Sequence, residues 1–264
     1  MTSGTFDISF VKLLFYLSLF AIPVFLFIRL RLGLTRTLII SIIRMTVQLW
    51  LVSFYLDWLF KWNNPLVNLL WMLVMIAVAN ITIVRNAELS ARRFAPSQAP
   101  ALLLSLGIIF GTFFVLIEHT VLLEARYMIP LSGMLLGNLL RGNIVALNRF
   151  YSDLAKRLHE YDHWLSLGAS RNEALRPFLR QAIKAAMGPQ IGTMATVGIV
   201  SLPGMMTGQI LGGASPVVAV KYQIMIMTAI YVSAALSVYL TLHFSMRAAF
   251  DRFDRVNESI LPKN

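Results

Sequence analysis

The chain has 264 residues, of which 58% are hydrophobic and only 13% are charged, and it carries a formal net charge of +11. Because a soluble domain contains about 25% charged residues, this composition predicts an integral membrane protein, and basic residues between apolar runs indicate cytoplasmic loops rather than a nucleic-acid partner. The chain has no cysteine and lacks the GxxxxGKS/T and GxGxxG patterns, which excludes disulfides, thiolate metal sites and nucleotide-binding loops.

Seven stretches approach the length of about 20 apolar residues that a membrane-crossing helix needs. They cover approximately residues 8–28, 38–56, 65–84, 99–117, 128–147, 185–200 and 216–243. The sixth stretch is short and the seventh is long. We therefore predict an all-α, polytopic membrane helix bundle that forms a single transmembrane domain over residues 1–264, in the cytoplasmic (inner) membrane and in contact with its lipid.

The basic residues predict the orientation of these spans. With the N-terminus outside and the C-terminus in the cytoplasm, 17 of the 23 Lys and Arg residues fall in cytoplasmic segments, and only Lys61 and Arg126 fall in external loops. An excess of Lys and Arg marks the cytoplasmic loops of membrane proteins. This orientation makes residues 148–184 cytoplasmic and places residues 201–215 on the external side.

Polar residues form a stripe in the second span. Thr37, Ser41, Arg44 and Gln48 recur at spacings of four, three and four, which places them on one helical face. An arginine near the bilayer centre costs roughly 2.5–3.5 kcal/mol, so we expect this face to point into the bundle and make Arg44 and Gln48 candidates for a translocation pathway. The alternative is that Arg44 reaches the membrane surface with its long side chain.

The fifth span carries two neighbouring patterns. Gly133 and Gly137 form a small-xxx-small pair that allows close helix approach. Met134, Asn138 and Arg141 share the adjoining face. Asn138 either bonds a neighbouring helix or lines a polar path, and it is a second candidate for the pathway.

The cytoplasmic segment 148–184 contains a helix–glycine–helix pattern. Helical periodicity ends at Gly168, and Ser170 is placed to cap the helix that follows. Such a unit is either a compact surface for another protein or a solvated linker.

The stretch 201–227 combines helix breakers with polar and sulfur-containing side chains. Pro203-Gly204 and Gly212-Gly213 interrupt it, and irregular backbone at membrane depth survives only where protein buries it or water lines it. We identify a candidate gate here, made of Met205, Met206, Gln209, Tyr222 and Gln223. The methionines suit adaptable packing at a mobile gate, and as ligands they favour soft ions such as Cu(I) over ferric iron.

Metal-ligating patterns are weak elsewhere, so no metal ligands are assigned. Glu118 and His119 lie at a predicted external helix end, where a solvated terminus is the simpler interpretation because stable metal sites usually need three or four ligands. We also find no paired nucleophile and base that would indicate an intramembrane enzyme.

The sequence resembles known transporter permeases in two ways, and these resemblances indicate a function. Asp162, Leu167, Gly168, Ala169 and Ser170 resemble the coupling motif of ABC-transporter permeases, although His163-Trp164 stands where two alanines usually follow and Gln181 stands where a proline often closes the motif. More specifically, IPLSGMLLGN (129–138), LSLGAS (165–170) and TVGIVSLPGMMTGQILGGASPVVAVKYQIMI (196–226) resemble the FetB-type iron-export permeases.

This resemblance implies a permease subunit of an ATP-driven ABC exporter for iron that contributes to metal homeostasis and oxidative-stress resistance. The resemblance implies that the chain is not itself an enzyme and that a separate ATPase subunit would hold ATP and Mg. This ATPase would contact residues 162–170. The permease would form a homodimer, in keeping with the usual twofold symmetry of oligomers. Similar plant permeases are linked to aluminium tolerance, so another metal or a sugar nucleotide stays open as cargo. A stand-alone secondary transporter or channel is the other alternative, because transporters use broken helices at binding sites.

Overall fold

The computed structural model describes residues 8–116, 119–251 and 254–256, with the backbone alone at 119 and 120. The described chain is helical and contains no β-strand. Its helices are α1 (Phe10–Leu17), α2 (Ala21–Arg29), α3 (Thr35–Trp62), α4 (Pro65–Asn86), α5 (Ala91–Leu116), α6 (His119–Leu122), α7 (Ala125–Lys156), α8 (Leu158–Ser166), α9 (Arg171–Thr196), α10 (Gly204–Leu211) and α11 (Pro216–Ala249). The all-α prediction is confirmed, whereas the candidate pair Glu118 and His119 lies outside the described side chains.

Five helical segments are long and apolar enough to cross a membrane. They are Phe10–Arg29 (α1 and α2 joined by a 3-10 turn), α3, α4, α5 and α11. This finding confirms a multi-pass membrane protein. The helices α7 and α9 contain 32 and 26 residues, or about 48 and 39 Å at 1.5 Å per residue, but they are more polar than these five.

Local sequence sets the helix ends on the cytoplasmic side of the predicted topology. Gly168 has a φ of +88°, a conformation that strains most residues other than glycine, and it separates α8 from α9. The backbone N–H of Ser170 donates to the Glu173 carboxylate at 2.9 Å, and the Ser170 hydroxyl accepts from the Glu173 backbone N–H at 3.4 Å. This capping box begins α9, as the sequence predicted.

The core lies between α4, α5, α7, α9 and α11, and polar contacts define how these helices run. The Ala125 N–H donates to the Asn63 side chain at 2.9 Å, just before α4 begins, while Asn148 in α7 donates to the Asn86 carbonyl at 3.4 Å. The helices α4 and α7 therefore start together and run parallel, and α7 continues for about two turns beyond the end of α4.

The helix α9 returns along α7 in the opposite direction. Arg149 donates to Gln181 at 3.1 Å near the end of α7, and the amide nitrogen of Gln190 lies 3.2 Å from where a Cβ on Gly142 would sit. Positions earlier in α7 thus meet positions later in α9.

The start and the end of the predicted sixth span differ from the structure. The sixth span was predicted at residues 185–200, but α9 runs unbroken from Arg171 to Thr196 through Pro177 and Pro189. A helix tolerates proline where neighbouring groups satisfy the freed backbone carbonyls, which a single sequence does not reveal. The second half of the predicted cytoplasmic segment and most of the predicted sixth span therefore form one continuous helix.

The first three helices lie at the edge of the bundle. In the described chain, Leu59 is the one buried side chain of α1, α2 and α3, and it packs in a small cluster with Ala125 and Ile129. The large apolar surface of α3 is thus left to lipid or to another chain.

Candidate functional site

The stretch 197–216 forms two turns around a short helix. After α9 the chain turns at Gly198, which has a φ of +89° and whose N–H donates to the Ser201 carbonyl at 2.9 Å. Pro203 precedes α10, and Gly213, with a φ of +94°, ends it. The short helix α10 then packs against α11. The breakers identified in the sequence therefore fold the chain back onto the bundle.

A cavity of about 390 Å³, which we name the central cavity, lies where α7, α9, α10 and α11 meet. Small-molecule sites typically enclose about 300–1,000 Å³, so its size suits a small molecule. Its lining residues come from four separate segments: Met134, Asn138 and Arg141 of α7; Gln190, Thr193 and Met194 of α9; Pro203, Gly204 and Met205 at the start of α10; and Gln223, Met227, Ile230 and Tyr231 of α11.

The structure brings together three of the candidate gate and pathway residues. Asn138, Met205 and Gln223 all line the central cavity, whereas Met206, Gln209 and Tyr222 are half-buried nearby and are not among its lining residues. Sequence reasoning did not select Arg141, although the spacing of three residues from Asn138 signalled it. Sequence reasoning also missed Gln190, which lies next to Pro189 inside the predicted sixth span.

Buried amide groups in the central cavity have unused hydrogen-bonding capacity. Gln223 is 6% exposed, and its Oε1 has no hydrogen-bond partner in the described structure; the Oε1 of Gln190 is also buried without one. Leaving a buried polar atom unpaired costs about 1–3 kcal/mol. These atoms therefore mark positions where a ligand or water would bind.

A second cavity, of about 280 Å³, adjoins the central cavity. It is lined by Val197, Ile224 and Thr228 together with Met194, Gln223 and Met227, and the last three residues also line the central cavity. The wall between the two cavities thus consists of one amide and two flexible thioether side chains. Methionine adapts readily to irregular spaces, so this wall can change shape at low cost.

The polar stripe of the second span lies in a different place. Arg44 and Gln48 line a cavity of about 920 Å³ between α3, α4 and α7, where they face Trp71 and Gly137 rather than the central cavity. A Cβ on Gly137 would meet no atom within 4 Å. The expected close helix approach is therefore wrong at Gly137, and this glycine leaves open space instead.

The helix–glycine–helix unit forms an exposed turn at the end of the bundle. Asp162, Gly168 and Ser170 are exposed, Leu167 is 66% exposed, and Ala169 is half-buried. Beside this turn lies a groove of about 760 Å³, which we name the α8–α9 groove; it is lined by Trp164, Leu167, Gly168, Ala169, Glu173, Arg176, Pro177, Arg180, Gln181 and Lys184.

The α8–α9 turn is attached firmly to the C-terminal segment. The buried Tyr161 hydroxyl donates to the Asp254 carbonyl at 2.7 Å, and Arg171 pairs with the Asp254 carboxylate at 3.0 Å. Burial, assisted by the Asp254 charge, raises the pKa of Tyr161 to about 12. Arg157 lies 4.5 Å from the ring centre of Phe178, so α8 and α9 are also held to each other.

No cluster of three or more His, Cys, Asp or Glu side chains that would hold a metal occurs in the described part of the chain. In the central cavity the sulfur atoms belong to methionine, and the remaining polar groups are amides, hydroxyls and the Arg141 guanidinium. This arrangement can bind and release a polar molecule.

A bundle of apolar helices around a polar cavity, with an exposed helical turn at one end, defines a multi-pass helical membrane protein. The chain belongs to the uncharacterised protein family UPF0014, whose family model matches residues 10–250. No solved structure matches it significantly.

Named relatives extend this assignment. The chain is 36% identical over 231 residues to the UPF0014 membrane protein YjkA of Bacillus subtilis, covering 84% of this chain and 90% of YjkA. It is 33% identical over 217 residues to the protein ALUMINUM SENSITIVE 3 of Arabidopsis thaliana, covering 79% of this chain and 77% of that protein. It is 29% identical over 225 residues to the probable iron export permease protein FetB of Escherichia coli, covering 84% of each. The resemblance to FetB-type permeases is thus confirmed.

Proposed function

We propose that the chain is the permease subunit of an ATP-driven ABC exporter and that its cargo is iron. The observation that carries this proposal is the exposed α8–α9 turn, in which Leu167 and Ser170 offer a docking surface held rigidly by Tyr161 and Arg171. The similarity to the iron export permease FetB supports the choice of cargo. ATP and Mg belong to the separate ATPase, and two copies of the permease form the membrane unit.

The proposed topology has seven spans, with the N-terminus outside and the C-terminus in the cytoplasm. The parallel course of α4 and α7 and the reversed course of α9 support it, because they are what alternating crossings require. The polar helices α7 and α9 are then the fifth and sixth spans. One transmembrane domain includes all of them, and residues 148–184 form its cytoplasmic coupling segment.

The helix α9 provides a direct mechanical path from the ATPase to the cargo site. It begins at Arg171 beside the docking turn and reaches Gln190, Thr193 and Met194 in the central cavity without interruption. Met194 lies 23 positions after Arg171, which corresponds to about 35 Å at a rise of 1.5 Å per residue. Movement of the turn on ATP hydrolysis would therefore displace one wall of the cavity.

The gate proposed for this exporter lies at the start of α10 and α11. Met205 and Gln223 contact the central cavity, and Met194 and Met227 separate it from the adjoining cavity. Rearrangement of these side chains would open a route between the two cavities. Met206, Gln209 and Tyr222 support the same region from outside the cavity, and Arg44 and Gln48 act in the separate cavity beside α3.

Co-purification tests the proposed class. The chain is expressed together with the ATPase encoded by the neighbouring gene, and the complex is expected to hydrolyse ATP and to lower cellular iron in a deletion strain. If no ATPase binds and transport continues without ATP, the ABC assignment is wrong. An increase of a different metal alone in the deletion strain would assign that metal as cargo.

A stand-alone secondary transporter is the second candidate, favoured by the helix break at Pro203 next to the central cavity. Proteoliposomes that contain the chain alone distinguish the two candidates. Transport driven by an ion gradient, and unaffected by the ATPase, would favour the secondary transporter.

A further inference from the structure

The charge of the central cavity indicates the charge of its ligand. Arg141 is the one formally charged residue among the described residues that line it. The four ion pairs found in the described part of the chain do not include Arg141. An ionised group within a membrane normally pairs with an opposite charge. A negatively charged ligand would supply that charge.

Amides and hydroxyls line the cavity together with the exposed Arg141 side chain. Asn138 and Gln190 approach from α7 and α9, and the nine-tenths-buried Gln223 approaches from α11 with its Oε1 unpaired. An amide presents donors on one side and an acceptor on the other, so it can bind a carboxylate oxygen or a hydroxyl group. Thr193 and Tyr231 add hydroxyl groups to the same lining. These partners match a small molecule rich in oxygen atoms.

A bare iron cation does not fit this lining. No Asp, Glu or His is among the described residues that form the cavity, and the thioethers of Met134, Met194, Met205 and Met227 match soft ions rather than iron. The positive charge of Arg141 would also oppose the binding of a free cation. The volume of about 390 Å³ exceeds the space that a single ion needs and suits a small molecule.

We propose that the central cavity binds an anionic, oxygen-rich small molecule, a polycarboxylate or a phosphate compound, with Arg141 as its charge partner and Gln190 and Gln223 as its hydrogen-bonding partners. This inference rests on the function proposed above. Under that function, iron leaves the cell inside an anionic chelate whose own oxygen ligands hold the metal. The permease recognises the outside of the complex and needs no metal-binding residues.

Binding to the full chain tests this inference without the ATPase. The protein is placed in nanodiscs of phosphatidylcholine, a zwitterionic lipid, so that no anionic lipid competes. Calorimetric titrations then compare citrate, ferric citrate, inorganic pyrophosphate, and ferrous chloride kept reduced. We expect ferric citrate and citrate to bind with similar Kd values, because the cavity would contact the carboxylates. Tighter binding of pyrophosphate would assign a phosphate ligand and keep the anionic site.

Four variants locate the site. Arg141→Gln is expected to weaken ferric citrate binding at least tenfold, while Arg141→Lys retains most of it. Arg126→Gln removes the same charge from the same helix outside the cavity and is expected to bind like the wild type. Gln223→Leu, which keeps the side-chain size, is expected to weaken ferric citrate binding. It provides a second test of the same site if Arg141→Gln misfolds.

Two results would overturn the inference. One is binding of ferrous ion alone that Arg141→Gln leaves unchanged or strengthens. The other is a folded protein that binds none of the anions. Failure of the proposed function looks different: citrate binding would remain and depend on Arg141, while the complex with the ATPase would export no iron.

Discussion

Asn143 donates a hydrogen bond to the Ser237 hydroxyl at 2.8 Å, and both side chains are fully buried between α7 and α11. Eight residues later in each helix, Tyr151 donates to Ser245 at 3.0 Å. Because both pairs are separated by 94 residues, the two helices run parallel and in fixed register. Asn138 and Tyr231 of the central cavity lie one to two turns before the first pair, so this register aligns the cavity walls.

Removing this bond is expected to lower stability. Ser237→Ala leaves the Asn143 amide with the Leu139 carbonyl as its one acceptor, and we expect a loss of about 0.5–1.5 kcal/mol, the usual net contribution of an intramolecular hydrogen bond. Thermal unfolding in detergent measures it. The control is Ser233→Ala, since Ser233 is equally buried but bonds its own helix at Ile230. Equal losses in both variants would contradict a specific role for the bond.

Gly142 allows α9 and α11 to approach α7 at the height of the cavity. A Cβ there would lie 3.2 Å from the Gln190 amide nitrogen and 3.5 Å from Val238 Cγ2. Gly142→Leu is therefore expected to separate these helices, with a cost of about 1–3 kcal/mol for overpacking, seen as a lower melting temperature.

The matched control for this variant is Gly107→Leu in α5. A Cβ on Gly107 meets no atom within 4 Å, so the added side chain has free space. If Gly107→Leu destabilises the protein as much as Gly142→Leu, membrane-helix propensity rather than helix contact explains the loss.

Local features were predictable because they depend on neighbouring residues. The apolar runs predicted the helices, and Ser170 as a capping residue predicted the start of α9. Gly168 predicted the end of α8, where the structure requires a positive φ. Each of these signals acts within about one helical turn, so the sequence alone contains them.

The composition of the cavity was only partly predictable, because it depends on contacts between distant helices. Asn138, Met205 and Gln223 were selected as polar or sulfur-containing residues in apolar surroundings, and the structure places all three in the central cavity. Arg44 of α3 gave an equally strong local signal but lines a different cavity. Periodicity identifies the face of a helix and does not identify the helix that it meets, which is why Gln190 was missed.

The backbone conformation of Gly168 is expected to control coupling. Its φ of +88° strains an L-residue by about 1–2 kcal/mol, although a Cβ there would meet no atom of this chain within 4 Å. Gly168→Val is therefore expected to uncouple ATP hydrolysis from export, which is measured as ATP consumed per ion exported. Gly168→Asn is the control, because asparagine accepts left-handed conformations. Unchanged coupling in the valine variant would contradict the contact assigned to this turn.

The start of α9 is expected to loosen in acid. Hydrogen bonds from the Ser170 hydroxyl and backbone lower the pKa of the Glu173 carboxyl below its usual range. A carboxyl whose pKa falls on folding stabilises the fold above its unfolded pKa, and that contribution is lost as pH decreases through the lower, folded pKa. Hydrogen exchange at residues 170–174 should therefore accelerate in that acidic range. Glu173→Gln should remove this pH dependence, because glutamine does not ionise but still completes a capping box. If the acid response is unchanged in this variant, another group causes it.

Substitution of Met205 separates a packing role from metal ligation at the gate. Met205→Leu conserves volume and should cost less than about 1.5 kcal/mol, so near-normal iron export is expected if the side chain only packs and moves. Met205→Ala leaves a gap at the cavity and is expected to reduce ATP-dependent export while allowing leakage. Met206→Leu is the matched control, because Met206 is the next residue but does not line the cavity. Loss of export in a folded Met205→Leu protein, with Met206→Leu active, would show that the sulfur atom itself binds the cargo.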